Sequence, residues 1–196
     1  MDSDLVEEIE FMIDLLTKSG FFSVSEIIEI LEDQFIDEEI DFSKFDISLN
    51  DSSNNNFSKL EHAFTNLAEE DIVAIHNCGY DIEEGVSDAF ELHVHLLNNK
   101  YEARGFCFYT FEDVEDGIFE NILKITFGDF ANNEDNALEI GKTVSKYLKD
   151  EGFTIIWDET INNQIEINPF KWDKSYNDEK EYEIEGAYEA FIANRC

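Results

Sequence analysis

The chain has a single proline, Pro169, and only 13 lysines and arginines among 196 residues. One proline excludes a proline-rich linker or polyproline ligand. So few bases exclude the basic patch that direct contact with nucleic acid or an anionic membrane requires. Cysteine is scarce as well. Cys78, Cys107 and Cys196 are odd in number and widely spaced, which excludes a disulfide framework and points to free thiols in a reducing cytosol. No apolar run approaches the ~18 residues of a spanning helix. Met1-Asp2-Ser3-Asp4 has neither a basic nor an apolar stretch of the kind that opens a secretory signal, so a cytoplasmic location is expected. The nucleophile elbow, the phosphate-binding glycine loop and the dinucleotide fingerprint are all missing. In "DVEDG" (113–117) acids and glycine stand at the wrong intervals for a calcium loop.

What is abundant is acid. Forty-seven Asp and Glu leave a net charge of −34, yet 43% of the residues are hydrophobic, with 18 Phe and 7 Tyr. That much apolar material marks a folded protein and not an acidic disordered tail. A compact domain of this length has a radius of gyration of about 16 Å, and the screening length in cells is about 8 Å. The negative field therefore reaches one screening length beyond the surface. It repels nucleic acid and anionic membranes, speeds encounter with a basic partner and strains the compact state by self-repulsion. A basic partner is the leading explanation. Adaptation to high salt and plain solubility are the others.

Hydrophobic periodicity organises the chain. Leu5, Ile9, Met12, Ile13 and Leu16 predict an amphipathic helix over 2–19, stopped by Gly20. Ser23 and Glu26 form a capping box for a second helix over 24–35 with Ile27, Leu31 and Phe35 on its apolar face. These make an N-terminal helical pair, residues 1–36. The polar stretch 37–56, with "SLNDSSNNN", reads as a linker. Over 57–173 helices (57–70, 81–99, 133–152) and a short acidic helix or turn (112–121) alternate with strands (71–77, 104–111, 122–130), and the strands 153–158 and 163–170 form a hairpin. The expected fold class is α+β: a mixed β-sheet of about five strands packed by helices, preceded by the helical hairpin. In the tail, 174–196, Ile184, Tyr188, Phe191 and Ile192 fall at helical spacing and predict a terminal docking helix, with a partner-binding element as the sharper alternative.

Four stretches carry a resemblance: "KLEHAFTNLAEEDIVAIHNCGYD" (59–81), "ARGFCFYTFEDVE" (103–115), "ITFGDF" (125–130) and "ALEIGKTVSKYLKDEGFTIIWDETINNQIEINPFKW" (137–172). Over about 57–173 the chain resembles an uncharacterised bacterial family, the domain of unknown function number 6891. The helical pair resembles the helices that precede this domain. The resemblance implies a fold and no reaction. It also implies that some relatives carry a Cys-x-x-Cys-Gly pattern at the segment matching 74–79, of which only Cys78-Gly79 stands here.

The stretch "AIHNCGYDIEEG" (74–85) concentrates chemistry. His76 and Cys78 stand two apart at a strand end, so they could share a face. With a base beside a thiol, or two metal ligands, a metal- or thiol-dependent enzyme is one reading. A zinc site needs four ligands, or three and a water. The only nearby candidates, His93 and His95, point different ways on a helix. Asp81, Glu83 and Glu84 would also oppose a thiolate. The plainer reading is a half-buried cysteine in a turn, with Asp81 capping the next helix and Glu83 and Glu84 on its N-terminal dipole.

Without a catalytic constellation, the expectation is a cytoplasmic acidic binding protein with no cofactor. Its most plausible form is an immunity protein that neutralises a bacterial toxin acting on nucleic acid or a dinucleotide, through carboxylates paired with the Lys and Arg of the toxin's active site. A nucleic-acid mimic that engages DNA-binding proteins is the alternative from the same chemistry. Candidate contacts are Asp81, Glu83 and Glu84, the cluster Glu112, Asp113, Glu115 and Asp116, and the strand-end pair Trp157 and Asp158, of which Trp157 is the better candidate for the core.

Overall fold

A computed structural model describes residues 3–38, 40–51, 53, 55–193 and 195. The chain divides into two compact units, residues 1–55 with 173–179, and residues 56–172 with 180–196.

The first unit is built on the helical pair. α1 (Ser3–Ser19) buries Ile9, Ile13 and Leu16, and α2 (Val24–Gln34) buries Ile27 and Leu31. Ser23 accepts from the Glu26 N–H while the Glu26 carboxylate accepts from the Ser23 N–H, so the predicted capping box is present. Gly20 turns the chain at φ 72°, and a Cβ there would lie 2.5 Å from the Lys174 carbonyl oxygen, a position only glycine fills. The stretch expected as a linker carries local order. A single 3-10 turn, Phe42–Lys44, is capped by the Asp41 carboxylate, and Phe42 is buried with its ring 6.2 Å from that of Phe35. Lys174 is buried, donates to the carbonyl oxygens of Gly20 and Ser175, and sets its ammonium 4.5 Å from the Phe21 ring centroid.

The second unit holds a five-stranded mixed sheet in the order β1-β2-β3-β5-β4. β1 (Ile72–Ile75) and β2 (Gly105–Phe108) are parallel, bridged by α4 (Ile82–Asn98). β3 (Leu123–Asp129) runs antiparallel to β2 and to β5 (Ile165–Ile167), and β4 (Ile155–Ile156) closes the hairpin with β5. Alternation sorts the side chains. Val73 and Ile75 pair with Phe106 and Phe108. Together they form one core with Ala89, Leu92 and Leu96 of α4 and Ala187 and Phe191 of α7 (Glu183–Ile192). On the other face α6 (Glu134–Asp150) packs on β2 and β3, so closely that a Cβ on Gly141 would overlap Phe127. α3 (Asn55–Leu67) buries Phe57, Leu60, Phe64 and Leu67, and α5 (Phe111–Phe119) follows β2. The α+β expectation, the mixed sheet and the N-terminal helix pair all stand. No helix among the described residues is long and apolar enough to cross a membrane.

Candidate functional site

The two acidic segments singled out in the sequence become one surface. β1 and β2 are parallel neighbours, so their C-terminal ends emerge side by side. The turns beyond them are tied together by backbone bonds: Cys78 N–H to Tyr109 O (2.8 Å), Phe111 N–H to Gly79 O (3.1 Å) and Glu112 N–H to Tyr80 O (3.1 Å). The N-termini of α4 and α5 therefore stand together. Asp81 caps α4 by accepting from the Glu84 N–H at 3.0 Å, and the Glu84 carboxylate accepts from the Tyr80 N–H at 2.9 Å. Glu83, Glu84 and Glu112 are exposed and Glu115 is half-buried. Among the described residues none of these four carboxylates is in an ion pair. In the first segment Tyr80 and Ile82 are 55% and 45% exposed, and the Phe111 ring of the second lies 6.4 Å from that of Tyr80.

Two acids of the second cluster are committed elsewhere. Asp113 is only 6% exposed. Its carboxylate accepts from both the Thr110 N–H and hydroxyl at 2.9 Å, while Thr110 Oγ1 accepts from the Asp113 N–H, and Gln164 approaches the other oxygen at 3.5 Å. Burial pushes this carboxyl above the usual range, although the Thr110 and Gln164 hydrogen bonds pull it back. Asp113 thus completes the capping box of α5, whose N-cap is Thr110, and being buried it leaves the set of candidate contacts. Asp116 pairs with Lys124 at 2.6 Å, which raises the lysine.

Trp157 and Asp158 lie in the β4–β5 turn, at the edge of the sheet opposite β1. Trp157 stacks edge-on to Phe127 at 5.3 Å and donates from Nε1 to the carbonyls of Thr160 and Asn163. Asp158 is exposed and accepts from the Thr160 hydroxyl and the Asn163 amide, which hold its carboxyl below the usual range. Both residues organise their own turn.

The expectation that His76 and Cys78 share a face is corrected. Asn77 adopts a left-handed conformation at φ 50°, which breaks the strand alternation between them. Cys78 enters the core with Val73, Ile75 and Phe108, 1% exposed, its thiol donating to the Gly85 carbonyl at 3.3 Å. Burial first, and then the charges of Asp88 and Glu183, push that thiol far up. His76 instead stacks on Phe64 at 4.6 Å, and its Nδ1 shares a 2.9 Å hydrogen bond with the buried Tyr109 hydroxyl. The rings of Phe57 and Tyr182 complete the enclosure. Tyr182 donates to Glu61 at 3.0 Å and Lys180 pairs with the same carboxylate. Sequence reasoning missed this cluster, because its members are brought together from four separate segments. His93 stacks on Phe130 and His95 leans on Tyr188. Among the described residues no three of His, Cys, Asp and Glu converge as metal ligands.

No curated protein and no solved structure matches the chain. The family model for a domain of unknown function (DUF6891) matches residues 2–176. The match therefore takes in the N-terminal helical pair, which the resemblance had placed ahead of the domain, and stops before α7. With most of its length so matched, the chain belongs to the family of that domain of unknown function.

Proposed function

We propose that the chain is an acidic binding protein of the cytoplasm, an immunity protein that neutralises a toxin by covering the toxin's basic active site. The observation that carries this reading is the merging of two acidic segments around exposed Tyr80 and Ile82. Unpaired carboxylates surrounding an aromatic anchor are the pattern of a protein-binding hot spot: the ring supplies burial, and the charges steer a basic partner and fix its register. The net charge of −34 adds long-range attraction for the same partner. An enzyme built on Cys78 is disfavoured, since a buried thiol surrounded by acids forms little thiolate.

The test is capture from the native host with the wild-type chain and with a Tyr80→Ala/Glu83→Lys/Glu112→Lys variant, eluted with a salt ramp and identified by mass spectrometry. One basic protein retained by the wild type and lost by the variant supports the reading. If that protein is a DNA-binding protein with no toxic activity, the nucleic-acid mimic replaces the immunity role. Equal retention of many basic proteins by both would return the charge to solubility or salt adaptation.

A further inference from the structure

Along α4 the acids Glu84, Asp88 and Glu91 follow at intervals of four and three residues, which puts them on one face of the helix. They repel one another. Partial burial, and then the charges of Glu91 and Glu84, hold the Asp88 carboxyl above its usual range. Such a like-charge row weakens a helix by itself, and natural sequences break local rules of this kind at functional sites.

The row leads to a groove of about 290 Å³ between α4 and α7. Its floor is apolar: Leu92 is fully buried, and Ile184 and Tyr188 are half-buried. Its walls are acidic, with Glu91 on α4 and Glu185 and Glu189 on α7, all exposed. His95 lines the groove as well, its ring 4.7 Å from that of Tyr188. Among the described residues the three wall glutamates are in no ion pair.

We propose that this groove receives a basic amphipathic helix of the partner protein, with the helix's apolar stripe on Ile184 and Tyr188, above the buried Leu92, and its lysines or arginines on Glu91, Glu185 and Glu189. The inference rests on the acidic-binder reading and deepens it by naming the partner's chemistry. A helix fits better than an extended strand, because Glu185 and Glu189 stand four residues apart on α7 and so match cations at the same spacing on another helix. A nucleic acid or an anionic membrane would bring more charge of the same sign. So would a second copy of this chain, at −34. The groove is also set partly by residues past the family match, since α7 begins at Glu183 and the match ends at residue 176.

The test uses the full chain and a synthetic leucine–lysine amphipathic helix, followed by amide and methyl NMR, with an oligolysine of equal charge as the comparison. Saturable shifts are expected at Leu92, His95, Ile184 and Tyr188. The Glu185→Lys/Glu189→Lys variant should weaken binding at least about tenfold, while Glu134→Lys/Asp135→Lys, the same change in net charge on α6 across the sheet, should weaken it less than about twofold. Far-ultraviolet circular dichroism verifies that both variants fold. Diffuse shifts, equal affinity for oligolysine, or equal loss in the two variants would overturn the groove. Saturable shifts centred on Tyr80 instead would also overturn it, while leaving the acidic-binder reading standing. A groove that binds the helix in a protein that captures no basic partner from its host would do the reverse.

Discussion

The backbone N–H of Phe111 donates to the carbonyl oxygen of Gly79 at 3.1 Å. This bond joins the turn after one parallel strand to the turn after the next. Two acidic segments some thirty residues apart in sequence thereby share one surface, centred on Tyr80.

Tyr80 serves that surface more than the fold. It is 55% exposed, and among the described residues the ring beside it is that of Phe111. Tyr80→Ala should change unfolding stability by no more than about 0.5 kcal/mol. The same change should weaken capture of the basic partner about tenfold or more. Urea unfolding and calorimetric titration of the two proteins separate these effects. Unchanged affinity would remove Tyr80 as an anchor.

Gly85 behaves differently from its helical position. An exposed Gly→Ala change inside a helix gains about 1 kcal/mol. Here a Cβ would overlap the Phe108 ring and lie 2.6 Å from the Cys78 carbonyl oxygen. Gly85→Ala should therefore destabilise by about 2 kcal/mol or more, since backbone and a core ring must both move. Thermal unfolding decides it, and a stabilised variant would mean that α4 sits farther from the sheet.

Asp113 links stability to pH. Its folded carboxyl titrates above the ordinary value of 3.8 because of burial. Between those two values the folded state holds more protons than the unfolded one, so this residue's contribution falls as pH rises through the folded pKa and is recovered on acidification. Asp88 has the same sign. Glu26, bonded to Ser23, has the opposite sign, but its side chain is well solvated. Asp113→Asn removes the titration while its amide oxygen can still accept from the Thr110 N–H. Measured from about pH 7.5 to about pH 4, the wild type should gain stability relative to the variant. Parallel pH profiles would contradict this assignment.

Cys78 and Cys107 are both buried, and burial raises both thiols. Neither should react with iodoacetamide in the native protein, and both should react in urea. Peptide mapping after alkylation tests this residue by residue. Fast native labelling of Cys78 would reopen a thiol-based activity.

Much of this architecture was legible because it is local. The 3.6-residue period marked α1, α2 and α7. Ser23 with Glu26 announced a cap, Asp81 announced another, and two β-rich runs around a short polar turn announced the β4–β5 hairpin. Thr110 with Asp113 was legible too, as a capping box with aspartate in place of glutamate, but among so many acids it read as surface. The left-handed turn at Asn77 had no signal strong enough to separate His76 from Cys78, since asparagine adopts many conformations. The parallel pairing of β1 with β2, which joins the acidic segments, and the gathering of Glu61, His76, Tyr109 and Tyr182 depend on contacts distant in sequence, and local pattern is blind to those.

Neither unit is a continuous stretch of chain. The first takes back residues 173–179 after the second has supplied 56–172, and Lys174, whose ammonium is bonded to the Gly20 carbonyl, belongs to that returning piece. A ribosome makes the helical pair early and delivers its lysine only after every strand of the sheet has been synthesised. The N-terminal unit is translated before the sheet and yet waits for its last part until the sheet has been made, and a fragment ending at residue 55 carries the Gly20 turn without the side chain that closes it.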